Sequence, residues 1–255
     1  MNVLPKTPSF RLDGKRALVT GAGRGIGLAA GAALAEAGAD VMLTARTKTE
    51  IEAAADAIRA RGGRAAAAPL DVTDLAAVRR FVESQAPFDI LFNNAGTNRP
   101  GPFADVTPEN YDLVFNLNVR AAFFVAQAVV RSLLAAGKGG SIINVSSQLG
   151  HVGWGRRTIY AASKHAIEGL TKSMAVELAA SGIRVNSIAP TFIETPMTKP
   201  FLADAAFRKS VLDKLKLGRL GQVEDLMGAI VFLASDASAL MTGTSLVVDG
   251  GWTAE

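Results

Sequence analysis

Short apolar runs alternate along the chain with longer segments whose apolar positions recur at helical spacing. The runs predict buried strands at residues 16–20, 41–44, 65–70, 88–92, 141–145, 184–189 and 246–248. The intervening segments predict helices at residues 25–37, 47–61, 74–85, 108–136, 158–180 and 222–234. This alternation predicts an α/β fold, in which a doubly wound, mostly or wholly parallel sheet of about seven strands carries helices on both faces.

The pattern predicts one domain over residues 1–255, because no linker, repeat or low-complexity segment divides it. Hydrophobic residues make up 49% of the chain, enough for a substantial core. Residues 1–11 are interpreted as a lead-in to the first strand. Residues 191–217 have no clear period and are too long for a simple turn, so we predict a substrate-binding loop there.

Composition excludes several kinds of chemistry. The chain has no cysteine, which rules out thiol catalysis and disulfides, and its two histidines lack a cluster of other metal ligands. The net charge of +4 is scattered, so nucleic-acid binding is not expected. No uncharged apolar run approaches the roughly 18 residues of a membrane span. We expect a cytoplasmic protein without a metal, nucleic-acid or membrane partner.

A glycine-rich segment joins the first predicted strand to the first predicted helix. It contains Gly21, Gly23, Gly25 and Gly27. Glycines permit a tight turn there and let the backbone approach a pyrophosphate, which then lies at the positive end of the helix. The position between a strand and a helix, more than the glycines alone, predicts a dinucleotide site.

The end of the second strand indicates which dinucleotide is bound. An NAD site usually carries an acidic residue there to hold the ribose 2′-hydroxyl, whereas this chain has Ala45. Arg46 and Arg24 could instead pair with a 2′-phosphate, since guanidinium groups bind phosphate well. We predict NADP(H) as the favoured cofactor, with NAD(H) as the alternative.

Tyr160 and Lys164 are four residues apart, which places them on one face of a predicted helix. A free tyrosine has a pKa of about 10, and a nearby ammonium lowers that pKa. The tyrosine could then donate a proton to a carbonyl or take one from an alcohol. Ser147 ends a predicted strand and could hydrogen-bond the substrate oxygen, whereas strand alternation points Ser146 the other way.

These motifs resemble the short-chain dehydrogenase/reductase family from about residue 12 to residue 252. The resemblance rests on Gly-x-x-x-Gly-x-Gly from Gly21 to Gly27, on Tyr-x-x-x-Lys at Tyr160, and on the separation of Ser147 from Tyr160. It implies a single Rossmann-like domain, in a homotetramer, that interconverts a carbonyl and an alcohol with a nicotinamide cofactor.

The resemblance also implies a role for each residue of the site. The catalytic residues would be Asn118, Ser147, Tyr160 and Lys164. Asn118 would link Lys164 through a water to solvent, with Asn116 as the competing candidate, and Lys164 would also hold the nicotinamide ribose. The cofactor-binding residues would be Gly21, Arg24, Gly25, Ile26, Gly27, Arg46, Asp71, Val72, Asn94, Ala95, Gly96, Tyr160, Lys164, Pro190, Ile193 and Thr195.

Polar side chains between Ser147 and Tyr160 indicate a polar substrate, and residues 148–153 are similar to sugar-acid dehydrogenases of the family. We predict a small keto acid, sugar acid or polyol, with an arginine of the Arg156-Arg157 pair facing an anionic group. The predicted substrate residues are Gln148, His151, Trp154, Arg156, Phe192 and Met197. Relatives usually have Pro-Gly where this chain has Pro190-Thr191, a change expected to reshape the pocket.

Two other functions fit parts of the pattern. A 3-oxoacyl thioester reductase would share the chemistry and bind an acidic carrier protein, but no concentrated basic patch supports that partner. A nucleotide-binding regulator without catalysis would not need the serine, tyrosine, lysine and asparagine that are all present.

Overall fold

The computed structural model describes residues 4–254, in which seven strands and nine α-helices alternate. The strands are β1 Arg16–Thr20, β2 Asp40–Ala45, β3 Arg64–Pro69, β4 Ile90–Asn93, β5 Gly140–Val145, β6 Ile183–Pro190 and β7 Ser245–Val248. The helices are α1 Gly25–Glu36, α2 Lys48–Ala60, α3 Leu75–Glu83, α4 Pro108–Phe115, α5 Ala122–Ala135, α6 Thr158–Leu178, α7 Lys199–Leu202, α8 Ala205–Leu212 and α9 Glu224–Ala234.

All seven strands form one parallel sheet in the order β3-β2-β1-β4-β5-β6-β7. The predicted doubly wound α/β fold is therefore confirmed. The order of the strands reverses between β1 and β4, which are neighbours in the sheet. In open sheets of this kind ligands bind beyond the carboxyl ends of the strands at such a reversal. The fold thus places a candidate site after Thr20 of β1 and Asn93 of β4.

Each face of the sheet carries its own apolar core, because successive side chains of a strand point to opposite faces. Leu18 lies in the cluster beneath α3, α5 and α6, and the next residue, Val19, lies in the cluster beneath α1, α2 and α9. Ile142 and Ile143 of β5 divide in the same way. Both faces are covered, so the sheet itself is a rigid support for the residues that follow its strands.

Polar residues cap the first turns of two helices. Asp74 precedes α3 and its Oδ1 accepts a hydrogen bond of 2.9 Å from the amide of Ala77. Thr107 precedes α4, where its side chain accepts from the Asn110 amide and Pro108 occupies the first turn. Such caps satisfy amide groups that have no partner within the helix.

Two predicted segments differ from the structure. The helix predicted over 108–136 is not continuous, because a π-helical turn at Asn116–Ala121 separates α4 from α5. Single π turns inside α-helices insert a residue and often mark functional sites. The irregular stretch predicted over 191–217 is also partly wrong, since it contains α7 and α8. Apolar side chains of α7 and α8 form part of a third small core cluster. The loop-like composition of this stretch concealed the helical spacing of its apolar residues.

The helical run from Pro108 to Ala135 is long and apolar enough to cross a membrane by length and composition alone. Its buried side chains, among them Val125, Val129 and Leu133, pack into the core beneath α3 and α6. The run is therefore apolar because part of its surface packs into the core.

Candidate active site

The glycine-rich loop after β1 is closely packed against its surroundings. Gly21 and Gly25 take left-handed backbone conformations, with φ of 63° and 56°. A Cβ atom at Gly27 would lie 2.2 Å from the carbonyl oxygen of Gly21. The Ala22 amide donates a hydrogen bond of 3.0 Å to the carbonyl of Thr44, which ties the loop to the end of β2.

The start of α1 suits an anionic group. Its N-cap residue, Arg24, makes no side-chain cap, and the first turn contains no acidic residue. The first amide groups of the helix therefore keep their donors and their positive partial charge for a ligand. Together with the tight glycine turn, these features fit the pyrophosphate of a dinucleotide.

Replacing Gly27 by alanine is expected to destabilise the protein by roughly 1–3 kcal/mol or more, because the added methyl overlaps the Gly21 carbonyl and the Asn94 amide. Thermal unfolding monitored by circular dichroism measures the change. Gly169→Ala, at an exposed position of α6, is the matched control, since its methyl meets no atom within 4 Å. That control should stabilise the helix by up to about 1 kcal/mol. Equal effects from the two variants would contradict the packing argument.

Three side chains that were predicted to bind the cofactor, those of Arg24, Arg46 and Asp71, follow the carboxyl ends of β1, β2 and β3. Arg46 is exposed directly after β2. Arg24 is also exposed and has only a weak ion pair, at 3.7 Å, with Glu50. Asp71 accepts hydrogen bonds from the amide and hydroxyl of Thr73, and the amide bond is the main cause of a lowered pKa for its carboxyl. The arginines thus present positive charge where a 2′-phosphate would need it.

Asn94 holds the loop in place as well as bordering it. Its side-chain amide donates to the carbonyls of Thr20 and Gly21, at 2.9 and 3.1 Å. The Thr20 hydroxyl in turn accepts from the amides of Asn94 and Ala95. Of the neighbouring predicted residues, Val72 is buried in the core, and a Cβ at Gly96 would lie 3.2 Å from Asn118 Oδ1. The end of β4 therefore supports the glycine loop directly.

The segment that was predicted to face the nicotinamide follows β6, which Pro190 ends. Ile193 is buried, and its carbonyl accepts a hydrogen bond from the Thr198 hydroxyl. The Thr195 side chain lies against the glycine loop, since its Cγ2 would be 3.3 Å from a Cβ at Gly25. The segment after β6 thus contacts the glycine loop at Gly25, the residue before Ile26.

Lys164 is buried, and its Nζ donates a hydrogen bond of 2.7 Å to the carbonyl of Val145. Burial lowers the pKa of Lys164 to about 8, and the carboxylate of Glu168, one helical turn further on, opposes that shift. Glu168 is itself buried and accepts hydrogen bonds from Ser187 and Ser245. The lysine can therefore change its charge near neutral pH, which an exposed lysine cannot.

The Tyr160 phenol differs from the expectation based on the lysine. Burial raises its pKa, while a hydrogen bond with Ser147 and the charge of Arg157 lower it. Lys164 Nζ lies 5.6 Å from the centre of the tyrosine ring, and it is the Arg157 cation that acts on the phenol. The prediction that Lys164 lowers the pKa of Tyr160 is therefore wrong for the protein without its cofactor.

Ser147 and Ser146 point to opposite sides, as strand alternation predicts. The Ser147 hydroxyl donates to Gln148 Oε1 at 2.7 Å and accepts from the Leu149 amide at 3.1 Å. Ser146 instead lies near Gly150, on the side of Glu168. A substrate oxygen at Ser147 would therefore compete with Gln148 for the serine proton.

The structure also separates the two asparagine candidates. Asn118 lies in the π turn and is buried, whereas Asn116 is exposed. Asn118 Oδ1 accepts from the Thr97 amide, and its Nδ2 donates to the Thr97 carbonyl and to Ser163 Oγ. One amide hydrogen thus joins the π turn to the segment after β4, and the other joins it to α6 at the residue before Lys164. Asn118 fixes the position of these elements, whichever atom binds a water.

A cavity opens between Ser147 and Tyr160 on one side and the segment after β6 on the other. Of the predicted substrate residues, Gln148, Phe192 and Met197 line it. The other three do not. His151 Nε2 hydrogen-bonds Ser245 Oγ at 2.9 Å, Trp154 stacks on Phe207, and the side chain of Arg156 is exposed.

Sequence reasoning gave too little weight to three cavity residues: Asn98, Arg157 and Thr191. Arg156 takes a left-handed conformation, with φ of 62°, and the next residue, Arg157, faces inward. No local pattern identified which of the two adjacent arginines would do so. Thr191 replaces the glycine usual in relatives without taking a positive φ, so this departure changes the cavity wall rather than straining the backbone.

Comparisons with known proteins agree over nearly the whole chain. A family model described as enoyl-(acyl carrier protein) reductase matches residues 21–253. L-xylulose reductase of Bos taurus is 41% identical, over 96% of this chain and 99% of the relative. Gluconate 5-dehydrogenase of Gluconobacter oxydans (strain 621H) is 41% identical, over 96% of each. The crystal structure of a gluconate 5-dehydrogenase from Burkholderia cenocepacia J2315, in complex with NADP and tartrate, has a TM-score of 0.93 and 40% identity, covering 96% of this chain and 98% of that chain.

The chain belongs to the short-chain dehydrogenase/reductase family, as its motifs predict. It is an enzyme of the class that acts on CH–OH and C=O groups. The family match confirms the meaning of the glycine and tyrosine motifs together, since neither is specific by itself.

Proposed function

We propose that this protein is an NADP(H)-dependent oxidoreductase that interconverts a carbonyl and a secondary alcohol on a small polar substrate, with a keto acid, sugar acid or polyol favoured. The observation that carries the proposal is the convergence of Ser147, Tyr160 and Arg157 on one cavity at the carboxyl edge of the sheet. Ser147 and Tyr160, which bind and protonate the substrate oxygen, thus line the same cavity as the positive charge of Arg157.

The residues of the chain have separate tasks in the proposed reduction. Ser147 hydrogen-bonds the substrate oxygen and stabilises the negative charge that develops there. Tyr160 donates its proton to that oxygen, and in oxidation takes a proton from the alcohol. Lys164, protonated, holds the nicotinamide ribose with its buried ammonium. The nicotinamide, when bound, supplies or accepts the hydride.

NADP(H) is the favoured cofactor for two reasons. Arg24 and Arg46 lie at the ends of the glycine loop and of β2, and Ala45 leaves no acidic side chain to repel a 2′-phosphate. In addition, a relative of 40% identity holds NADP in its crystal structure. NAD(H) remains the alternative, since Arg24 and Glu50 also attract each other.

The test is loss of NADPH absorbance, with NADH in parallel, against keto acids, keto sugars, plain ketones and acetoacetyl thioesters. Selective turnover of a polar keto substrate with NADPH is the expected result. Preference for the acetoacetyl thioester would favour the 3-oxoacyl thioester reductase alternative. Absence of turnover in both directions, with firm NADPH binding, would favour a non-catalytic regulator.

The alkaline limb of the pH profile should depend on Glu168. Its carboxylate raises the pKa of Lys164 against the effect of burial, so Glu168→Gln should move that pKa below about 8. Because reduction requires the protonated lysine, kcat/KM should then begin to fall at a lower pH than in the wild type. The measurement is kcat/KM for carbonyl reduction from pH 6 to pH 10. Glu177→Gln, exposed on the same helix, is the control, and equal profiles for all three proteins would exclude the coupling.

A homotetramer and a cytoplasmic location stay predictions. Exposed apolar side chains on α4, α5 and α6, among them Leu113, Phe123 and Val176, support association through these helices. Light scattering on the eluted protein should then give about four times the chain mass of 26.5 kDa. A mass equal to a single chain would exclude the tetramer.

A further inference from the structure

Arg157 is a buried cation without a counter-charge of its own. It is 5% exposed, and within residues 4–254 its guanidinium makes neither a hydrogen bond nor a salt bridge. Its neighbours are the rings of Phe201 and Phe207, whose centres lie 5.1 and 5.4 Å from the guanidinium carbon. The guanidinium thus faces the cavity between aromatic rings that offer only cation–π attraction.

This arrangement is costly in the free protein. Burying a charge without a paired and hydrogen-bonded partner destabilises the folded state. Burial lowers the pKa of Arg157, the charge of the adjacent Arg156 lowers it further, and Tyr160 alone raises it. A ligand that carries negative charge would remove the cost on binding.

Two further polar atoms at the same cavity lack partners. Among the described residues, the buried side-chain atoms without a hydrogen bond are Asn98 Oδ1, Ser146 Oγ and Thr191 Oγ1. Asn98 and Thr191 both line the cavity together with Arg157. Asn98 Oδ1 only accepts, so its partner must be a donor such as a hydroxyl, whereas the Thr191 hydroxyl can donate or accept. Leaving such groups unpaired destabilises the folded state.

We propose that Arg157, Asn98 and Thr191 form a subsite for the non-reacting end of the substrate, which is a hydroxy carboxylate. The carboxylate pairs with Arg157, and hydroxyl groups beside it bond Asn98 Oδ1 and Thr191 Oγ1. This inference rests on the proposed function in one respect, because it assumes that the reacting oxygen lies at Ser147 and Tyr160. The surrounding Phe192, Phe201 and Met197 offer no second positive charge, which favours a single carboxylate.

Binding of two matched probes tests the subsite. D-gluconate and D-glucitol share a six-carbon chain of hydroxyls and differ in the terminal carboxylate. Isothermal titration of each into the enzyme saturated with NADPH measures affinity without turnover. The wild type should bind gluconate at least tenfold more tightly than glucitol. Equal affinity for the two probes would overturn the proposal.

Substitutions of single arginines identify the positive charge that distinguishes gluconate from glucitol. Arg157→Gln should weaken gluconate binding at least tenfold and leave glucitol within about twofold, while Arg157→Lys should retain part of the difference. Arg208→Gln, an exposed arginine on α8, is the control and should bind both probes as the wild type does. Loss at Arg156→Gln in place of Arg157→Gln would also overturn the proposal, since it would move the anion outside the cavity.

Stability separates a binding role from a structural one. Because Thr191 Oγ1 and the Arg157 guanidinium are unpaired in the free protein, Thr191→Val and Arg157→Met should raise its Tm while weakening gluconate binding. A lower Tm in both variants would assign these side chains to structure and reject the subsite. If the wild type turns over no carbonyl or alcohol but gluconate binding still depends on Arg157, the proposed function fails and the subsite stands.

Discussion

Tyr160→Phe is expected to lower kcat for carbonyl reduction by roughly 10²- to 10⁴-fold, the range typical for loss of a general acid. The variant keeps the ring and removes only the hydroxyl, which lies where Ser147 and Arg157 lower its pKa against the effect of burial. The affinity for NADPH, measured by fluorescence titration, should change little. Single-turnover rates with saturating NADPH distinguish loss of chemistry from loss of binding.

The chain provides its own control for this variant. Its other tyrosine, Tyr111, is 46% exposed on α4 and stacks on Phe115. Tyr111→Phe preserves that stacking and should turn over at the wild-type rate. If Tyr160→Phe kept more than about a tenth of the wild-type kcat, another group would have to supply the proton and the assignment of Tyr160 would be rejected.

The fold could be predicted from sequence because its signals are local and repeated. The central strands are short apolar runs that are buried on both faces, and several helices begin at a capping residue or a proline. Boundaries differ by one or two residues for most elements. Two features were not predicted. One is the pair of helices α7 and α8, and the other is the π turn at Asn116–Ala121, since nothing in its sequence distinguishes a five-residue hydrogen-bond step from an α-helical one.

The reacting end of the candidate site could be predicted for a similar reason. Tyr160 and Lys164 are linked by helical spacing, and Ser147 by its place at the end of β5, so their proximity follows from local structure. The far end could not be predicted in this way. Asn98, Arg157 and Thr191 come from three separate segments, and their facing one cavity depends on tertiary packing.

His151 and Trp154 were predicted to contact the substrate, but neither lines the cavity. Each lies close in sequence to Ser147, which favoured a substrate role. In the structure His151 turns towards Ser245 and Glu168, and Trp154 packs with Phe192, Phe207 and Trp252 beneath the segment after β6. Trp154 thus supports the cavity wall through Phe192, whereas His151 is held at Ser245 and does not line the cavity. Nearness in sequence to a strand end is therefore a weaker guide than the direction in which a loop residue points.

Lys164→Met should lower kcat/KM for reduction by at least about 10²-fold, because the variant removes the ammonium that is proposed to hold the nicotinamide ribose in position for reaction. It also removes the donor to the Val145 carbonyl, and it leaves Glu168 without the ammonium one turn away. We expect a stability loss of roughly 1–3 kcal/mol, the cost of an unpaired buried polar group. Denaturant unfolding measures this loss, and the pH profile should lose the alkaline limb assigned to the lysine.

A double variant separates the two effects of Lys164. The double variant Lys164→Met with Glu168→Gln leaves neither position of this pair with an uncompensated charge. The amide introduced at position 168 is expected to keep bonds to the two serines that donate to Glu168, Ser187 and Ser245. Part of the lost stability should therefore return, as a favourable coupling in the double-mutant cycle. Turnover should not return, because the proton and ribose tasks need the ammonium itself. Recovery of both would show that Lys164 acts on catalysis only by maintaining the fold, and recovery of neither would show that Glu168 does not interact with it.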